Sequence, residues 1–468
     1  MKKKYLISIL VIITLIVAIL AIFFIKNSAG NKNLNFFKSL ISTENKQVVK
    51  IYLEPKKNIE KIRRQRIQIK KLEAVVRKTG YGYKHEKYIK ENNEDLFFFL
   101  NSEKRLKIFN KLYDLKVFQN TGQLVFGINS IFPGSAYLDF YNKKLFISSA
   151  TGIIGYSNDI SGDALTFKQI KNNISEFINT KQFEKDNSFS VKDLLIFDNK
   201  IFISFSDEIT NDCWATSLLF ADLNYQELKF KKIFQSSECK HSTNNIDNEF
   251  NAHQSGGRIV KFDNDNILFT TGDYRERSSA QNKNSTFGKV LKINLISSDY
   301  EIISLGHRNS QGLYFNKENN YIISTDHGPE GGDEINLTDL NNKKLKNFGW
   351  PISSYGEHYG GRIKKNENKY KKYPLHKSHK DYSFIEPLKY FVPSIGISEI
   401  VNIGENNYLV SSLKDHSLYS FKINKNQKIE TMKQIEIGER IRDIIFSKKK
   451  LFLFLEDTSS VAIITLAK

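Results

Sequence analysis

The chain has 468 residues, which is too long for one small domain and long enough to bury a large core. Aromatic residues make up 13% of the sequence, a share that excludes an intrinsically disordered chain. The formal net charge of +19 leaves three kinds of partner open: nucleic acid, an acidic membrane surface and anionic ligands.

Residues 1–26 predict a signal-anchor transmembrane helix. Three lysines, Lys2 to Lys4, precede an uncharged apolar run from Tyr5 to Ile25. Such a run is long enough to span a bilayer as a helix, and its basic flank stays in the cytoplasm. A cleaved signal peptide is the alternative, with a weak cleavage candidate at residues 27–30. Either interpretation places the rest of the chain in the periplasm or outside the cell.

Residues 27–125 form a basic extension whose fold the sequence does not specify. Ten Lys or Arg residues fall between positions 56 and 78, against Glu60 and Glu73. They indicate a solvated face or, because a membrane segment precedes them, a contact with anionic lipid. Apolar spacing over residues 59–78 suits one face of a helix, whereas residues 66–70 alternate as in a strand.

The two cysteines, Cys213 and Cys239, are a candidate disulfide. They flank two apolar stretches that turn near Asn224, and a hairpin of this kind brings its ends within bridging distance. An oxidising compartment favours the bond. Two buried free thiols are the alternative.

Residues 126–468 predict a six-bladed β-propeller. A strand-like run meets a short turn of Asn, Asp, Gly or Lys and then a second apolar run. Repeated four-stranded units of this size are typical of propeller blades, whereas a large β-sandwich needs no such repeat. The six copies begin at Tyr137, Leu194, Arg258, Leu313, Ile400 and Ile444.

Two loops of the propeller carry candidate catalytic side chains. His253 precedes a strand in a Gly-rich segment, and a neutral imidazole there can take a proton from a hydroxyl. A structural histidine is the alternative. Arg308 and Asn309 lie in residues 306–313, where the guanidinium offers five donors to carbonyl or carboxylate oxygens. A turn satisfied by its own polar side chains is the alternative.

Two further clusters indicate charged ligands. Residues 326–336 place carboxylates and backbone carbonyls close together, which suits calcium better than zinc; a metal-free acidic turn is the alternative. Arg440 and Arg442 face the same side of a strand, with Lys414 on the preceding blade. Such a cluster attracts an anion such as a polycarboxylate cofactor. Its alternative is a set of surface salt bridges with Asp443, Glu436 or Glu439.

The sequence resembles the soluble quinoprotein glucose dehydrogenases, also called the glucose/sorbosone dehydrogenase family. The close matches cover residues 252–356, and weaker ones extend from about residue 130 to the end. The matching segments stand in the family's order. They are AHQSGGRI with His253, GKVLKINL at 288–295, GHRNSQGL at 306–313, DHGPEGGDEIN at 326–336, FGWP at 348–351, SSLK at 411–414 and RIRD at 440–443.

The resemblance implies a six-bladed propeller that oxidises an aldose or related alcohol with pyrroloquinoline quinone (PQQ) and calcium. His253 matches the general base, Arg308 the residue that polarises the quinone, and Asn309 a further quinone contact. The remaining matches are ligands. They are Lys414, Arg440 and Arg442 for the cofactor's carboxylates, the carbonyls of Gly328 and Pro329 for one calcium, and Glu334 and the Phe348 carbonyl for a second.

Three features depart from the family pattern. Ala252 stands where an acid often precedes the catalytic histidine, and no glutamine lies near residues 190–192. A tryptophan–threonine pair that covers the quinone in some members has no match near residues 388–393.

The sequence therefore supports two functions. The first is a membrane-anchored sugar dehydrogenase with an unidentified electron acceptor. The second is a non-catalytic propeller that has lost the quinone and binds a sugar or a protein. Nucleic-acid binding is disfavoured, because the chain is expected to be exported and carries no recognisable reader motif.

Overall fold

The computed structural model describes residues 95–120, 135–178, 182, 185 and 188–467. The predicted anchor at 1–26 and the basic run at 56–78 lie outside this part. Among the described residues, no helix has the length and apolar character needed to cross a membrane.

The fold is all-β and propeller-like, as predicted. An N-terminal hairpin of two long strands precedes the repeated units. It consists of β1 (Leu96–Ile108) and β2 (Lys111–Asn120). The first two units contain β3 (Ala136–Tyr141), β4 (Lys144–Ser149), β5 (Ile154–Ser157), β6 (Ala164–Asn172), β7 (Val191–Phe197), β8 (Lys200–Thr210), β9 (Cys213–Asp222), β10 (Glu227–Leu228), β11 (Lys231–Phe234) and β12 (Lys240–His241).

The next two units follow the same antiparallel pattern and include a long loop, residues 348–388, that we call the mouth loop. They contain β13 (Gly256–Lys261), β14 (Asn266–Thr271), β15 (Lys289–Asn294), β16 (Tyr300–Leu305), β17 (Ser310–Asn316), β18 (Tyr321–Asp326), β19 (Asp333–Asp339), β20 (Lys346–Asn347) and β21 (Lys389–Phe391). Short helical turns lie at Ile174–Glu176, Arg277–Gln281 and Lys380–Tyr382, and the mouth loop holds the helix α1 (Glu367–Lys372).

The last two units close the ring. They contain β22 (Ile397–Asn402), β23 (Asn407–Ser412), β24 (Ser417–Ile423), β25 (Ile429–Glu436), β26 (Ile441–Ser447), β27 (Lys450–Leu455) and β28 (Ser460–Leu466). We call the first strand of each unit its inner strand. Each inner strand contacts the inner strand of the next unit, in the closed cycle β3, β7, β13, β17, β22, β26 and back to β3.

The N-terminal hairpin joins the first and last units. Strand β2 pairs antiparallel with β28, and β1 pairs with β2 on one side and with β6 on the other. These two strands fall within the range 27–125 that the sequence left without a fold. The sheet thus begins before residue 126.

Local chemistry explains the turns between paired strands. The two-residue turns at Asn142–Lys143 and Asp198–Asn199 have positive φ at both positions, from 47° to 63°. Such turns match the twist of the strands that they join, and Asn and Asp tolerate this conformation. The strand–turn–strand pattern in the sequence therefore gave these hairpins correctly.

Apolar side chains fill the space between neighbouring units. Phe146 of the first unit packs in one cluster with Ile203 of the second, and Ile323 of the fourth with Val410 of the fifth. Comparable clusters join the other neighbouring units around the ring. Each fully buried side chain of this size contributes roughly 2 kcal/mol.

The predicted disulfide is present. Cys213 begins β9 and is bonded to Cys239, with 5.3 Å between the two Cα atoms. The register places Lys240 opposite Trp214, so the short strand β12 brings the second cysteine beside the first.

A buried arginine stands where the inner strands approach one another. Arg258 on β13 has a side chain only 4% exposed, and its Nη1 lies 2.9 Å from an Asp193 oxygen and 2.7 Å from an Asp443 oxygen. Its Nε contacts the Glu399 carboxylate. The three acids come from β7, β26 and β22, so one guanidinium links four units.

The same acids also accept hydrogen bonds from the backbones of neighbouring inner strands. Each carboxylate accepts a main-chain N–H as well as the guanidinium: Asp193 from Ile259 at 2.7 Å, Asp443 from Leu138 at 2.7 Å, and Glu399 from Leu313 at 3.1 Å. We call Arg258, Asp193, Glu399 and Asp443 the central ion cluster. Nothing in the sequence near Arg258 indicates this role.

We predict that Arg258→Met destabilises the fold strongly, because it leaves three buried carboxylates without their shared cation. The free energy of unfolding should fall by about 3–5 kcal/mol, measured by denaturant titration. Arg105→Met is the matched control. Arg105 pairs with Asp114 on the surface, with side chains 71% and 44% exposed, and should cost less than about 1 kcal/mol. Equal losses in the two variants would contradict the structural role of the cluster.

The central ion cluster also predicts a pH dependence. Burial raises the pKa of Asp193 to about 7 and that of Glu399 to about 8, against the attraction of Arg258. The folded chain therefore holds protons that the unfolded chain releases near pH 4. This stabilisation is complete below about pH 4 and is lost as the pH rises towards 8.

The melting temperature should accordingly fall between about pH 5 and pH 8, and Asp193→Asn should flatten the fall. Scanning calorimetry across this range measures both. A melting temperature that rises with pH, or an unchanged slope in the variant, would contradict the prediction.

Candidate active site

The predicted site residues share one end of the propeller-like ring. The first two strands of each unit run antiparallel, so the start of the inner strand and the end of the second strand lie at the same edge. Segments that precede β13, β17 and β26 carry His253, Arg308 with Asn309, and Arg440; Arg442 lies within β26. Segments that follow β18 and β23 carry Gly328 with Pro329, and Lys414. We call this edge the mouth.

Arg308 is buried and held by backbone carbonyls. Its Nη1 donates to the carbonyls of His327 and Gly328, each at 2.8 Å, and its Nη2 donates to the Tyr359 hydroxyl at 3.2 Å. The loop after β18 and the mouth loop therefore fix the guanidinium together.

Asp326 organises the turn that presents Arg308 and Asn309. Its carboxylate accepts the Arg308 N–H at 3.1 Å and the Asn309 N–H at 2.6 Å, and lies 3.1 Å from Nδ1 of His307. The sequence analysis placed this acid in the calcium cluster. The structure uses it to hold a loop.

Asn309 connects the His253 loop to the arginine pair. Its Oδ1 accepts the Gly256 N–H at 3.0 Å and the Gln311 amide at 3.0 Å. The Gln311 Oε1 in turn accepts from Nη1 of Arg442 at 3.2 Å. The predicted quinone contact and the predicted carboxylate ligand thus share one hydrogen-bond chain.

Arg440 and Arg442 pair with one buried carboxylate, Glu456. Their Nε atoms lie 3.1 Å and 2.6 Å from its two oxygens, and its side chain is fully buried. Although burial opposes its ionisation, the guanidiniums of Arg442 and Arg440 lower the pKa of Glu456 to about 2. The alternative of surface salt bridges with Asp443, Glu436 or Glu439 is not what forms, because Glu456 at the end of β27 reaches both arginines.

Lys414 stands beside this pair. Its exposed ammonium donates to the Ser394 carbonyl at 3.0 Å, while Nη1 of Arg440 donates to the carbonyl of the preceding residue, Leu413, at 3.3 Å. Arg440 thus contacts both the buried acid Glu456 and the backbone next to Lys414.

His253 lies at the mouth with its side chain exposed. Its backbone N–H donates to Oδ1 of Asn251 at 2.8 Å. The next residue, Gln254, is buried and, in the amide orientation that suits its neighbours, accepts from Arg308 at 2.8 Å and Arg275 at 2.9 Å. The backbone of His253 therefore adjoins a residue whose side chain contacts Arg308.

A second histidine, His327, offers its backbone carbonyl to Arg308. Burial, with Arg442 and Arg308 nearby, lowers its pKa to about 4 against the opposite effect of Asp333 and Asp326. Its imidazole is neutral at neutral pH, so it adds no charge to the mouth.

The predicted calcium ligands do not fit that ion as they stand. The Gly328 carbonyl already accepts from Arg308, and buried Pro329 follows it. At the second predicted site, Nε2 of His379 lies 3.3 Å from a Glu334 oxygen. Burial opposes protonation of His379, but Glu334 and the Phe348 backbone raise its pKa. The described part of the chain contains no cluster of three or more His, Cys, Asp or Glu side chains suited to a metal.

Several residues of the mouth escaped the sequence analysis. They are Gln254, Arg275, Tyr359, His379 and Glu456. Only Glu456 could have been predicted from the sequence. It follows the apolar run Leu451–Leu455, and in other units the corresponding position after the second strand holds Asp326 or Lys414. The rest depend on contacts between distant loops.

The fold and the mouth define a propeller-like protein with a cationic ligand site. A family model described as Glucose / Sorbosone dehydrogenase matches residues 196–465, more than half of the sequence. The chain belongs to the glucose/sorbosone dehydrogenase family.

Curated relatives agree. Aldose sugar dehydrogenase YliI of Escherichia coli is 28% identical over 227 residues, covering 44% of this chain and 57% of that protein. Quinoprotein glucose dehydrogenase B of Acinetobacter calcoaceticus is 30% identical over 139 residues, or 23% and 28% of the two chains. The chain spans about half the length of the first relatives that it matches.

Solved structures share the fold. The soluble aldose sugar dehydrogenase of Escherichia coli in its apo form superposes with a TM-score of 0.56 at 19% identity, covering 71% of this chain and 96% of that one. The PQQ-bound aldose sugar dehydrogenase of Streptomyces coelicolor gives 0.53 at 14% identity, covering 78% and 98%.

We predict that Glu456→Gln destabilises the chain at neutral pH, because it leaves Arg440 and Arg442 without their buried acid. The loss should be about 3 kcal/mol at pH 7 and should shrink as the pH falls through about 2, where Glu456 itself is protonated. Denaturant titration measures it. Glu103→Gln removes a pair with Lys116 that is 54% and 38% exposed, and should cost less than about 1 kcal/mol. A loss independent of pH would show that Glu456 does not act through its charge.

Proposed function

We propose that this chain catalyses PQQ-dependent oxidation of an aldose or related alcohol. The observation that carries the proposal is the convergence of His253, Arg308 and three further cations on one mouth. Family membership supports it. The closed cycle of six inner strands supports the corresponding six-bladed architecture.

The mouth fits a multiply anionic cofactor. Arg440, Arg442 and Lys414 carry three positive charges, and Glu456 neutralises one of them. The nearby Asp443 is engaged by Arg258. Because uncompensated cations bind carboxylates through charge-assisted hydrogen bonds, these side chains would hold the carboxylates of PQQ.

PQQ, when bound, would supply the acceptor for the hydride that leaves the substrate carbon. The hydroxyl proton must also be taken up, and we assign this role of general base to His253, an exposed residue. Arg308 supplies a fixed positive charge at the same opening, which stabilises negative charge as it develops. Calcium is left out of this proposal, since Arg308 and His379 lie against its predicted ligands.

A non-catalytic binding propeller is the second candidate. Two observations favour it. Arg308 is already satisfied by two carbonyls, and Ala252 is buried where the family often has an acid. A protein of this kind would bind a sugar at the mouth without the quinone.

We further propose that the propeller works outside the cytoplasm. The disulfide between Cys213 and Cys239 suits an oxidising compartment. Anchoring through residues 1–26 remains a prediction from the sequence, with the membrane as partner.

The test is PQQ binding followed by dye reduction with a panel of aldoses. His253→Ala should lower kcat about 10²–10⁴-fold and leave PQQ affinity unchanged, because it removes only the base. Lys414→Ala should weaken PQQ binding about tenfold or more, because it removes a carboxylate partner. Lys414 is the safer choice of cation to remove, since it is exposed and Arg442 is not.

Failure of the purified chain to bind PQQ at micromolar concentration would favour the binding propeller. Full activity of His253→Ala would show that another group removes the proton.

A further inference from the structure

Arg275 lies beside Arg308 at the mouth. Gln254 accepts from Nε of Arg275 at 2.9 Å and from Nη2 of Arg308 at 2.8 Å, so the two guanidiniums share one amide oxygen. Burial and the neighbouring Arg308 lower the pKa of Arg275. Two like charges held this close are each stabilised by an anion between them or beside them.

The backbone that presents Arg275 is strained. Tyr274 and Arg275 have φ values of 48° and 71°, in a turn closed by the Glu276 N–H donating to the Asp273 carbonyl at 2.7 Å. Turns of this kind normally use Asn and Gly, and positive φ is unfavourable for bulky side chains. Such strain is typical of functional sites, where the side chain matters more than local stability.

The nearest acid leaves Arg275 incompletely neutralised. Glu249 lies 4.0 Å from Nη1 of Arg275, but 2.7 Å from Nη2 of Arg277, and it also contacts the Lys369 ammonium. Arg277 has a second partner, Asp247, at 3.4 Å, whereas Glu249 is the only acid among the described residues within 4.0 Å of the Arg275 guanidinium. Positive charge remains at Arg275, whose side chain is 24% exposed.

Tyr359 completes a wall of the mouth. Its ring centroid lies 4.9 Å from the Arg275 guanidinium carbon and 5.6 Å from that of Arg308, and the residue is 56% exposed. An exposed aromatic face next to two guanidiniums offers an apolar contact for a sugar ring and hydrogen-bond donors for an anion.

We infer that Arg275 and Tyr359 form an anion subsite next to Arg308, and that the substrate is an aldose carrying a carboxylate or a phosphate. The inference rests on the proposed function for the sugar part of the ligand. The neutral sugar ring would stack on Tyr359, its acidic group would bind Arg275, and its reacting hydroxyl would face the His253 imidazole.

The variant Arg275→Gly tests this directly. Glycine suits positive φ, so the variant should melt no lower than the wild type while lacking the guanidinium. Lys449→Gly is the matched control. Lys449 has a φ of 60° in the turn after β26, so this change also removes one positive charge from a strained turn, at the end of the strand away from Arg442.

Ligand-detected NMR would compare D-glucuronate, D-glucose 6-phosphate and D-glucose on the full chain, with and without PQQ. The wild type and Lys449→Gly should bind at least one acidic sugar about tenfold or more tighter than glucose. Arg275→Gly should lose that preference. The stronger of the two acidic sugars identifies carboxylate or phosphate as the recognised group.

Equal affinity of the wild type for all three sugars would overturn the inference, as would a preference that survives in Arg275→Gly. Weaker PQQ binding in Arg275→Gly with an unchanged sugar preference would assign the guanidinium to the cofactor instead. A chain that prefers acidic sugars but binds no PQQ would disprove the proposed dehydrogenase and leave the anion subsite standing.

Discussion

The contact between Arg258 and three carboxylates is the constraint on which the rest of the structure depends. Asp193, Glu399 and Asp443 come from different units, and each also fastens the backbone of a neighbouring inner strand. The inner strands begin at the mouth, so fixing their positions also fixes the loops in front of them. The segments that carry His253, Arg308 and Arg440 therefore share one edge because charged groups deeper in the ring hold the strands that follow them.

Charged residues form two separate groups in this structure, the central ion cluster and the residues at the mouth. In the central ion cluster three acids share one cation, and burial raises the pKa values of Asp193 and Glu399. At the mouth, burial opposes the ionisation of Glu456 and Glu249, but Arg442 and Arg440 lower the pKa of Glu456 to about 2, and Arg277 and Lys369 lower that of Glu249 to about 2. Strand β26 carries Arg442 of the mouth directly before Asp443 of the central ion cluster.

The sequence predicted the structural features that depend on residues close together in the chain. Alternating runs and turn residues gave the paired strands, and the spacing of Cys213 and Cys239 gave the disulfide. The motif order gave the family. Partners far apart in the chain were missed, because nothing local links Glu456 to Arg440 or Tyr359 to Arg275. Strands β1 and β2 were missed for a related reason: β1 is mostly exposed along its second half, so its pattern lacks a clear apolar face.

The hairpin of β1 and β2 gives the ring a particular order of assembly. Strand β2 is hydrogen-bonded to β28, which follows it by more than three hundred residues, and β1 reaches across to β6. Contacts so distant in sequence form slowly, because a long loop must close first. During synthesis the early units can form while the gap beside β2 stays open. The ring is therefore sealed only when the final strand has been synthesised and pairs with β2.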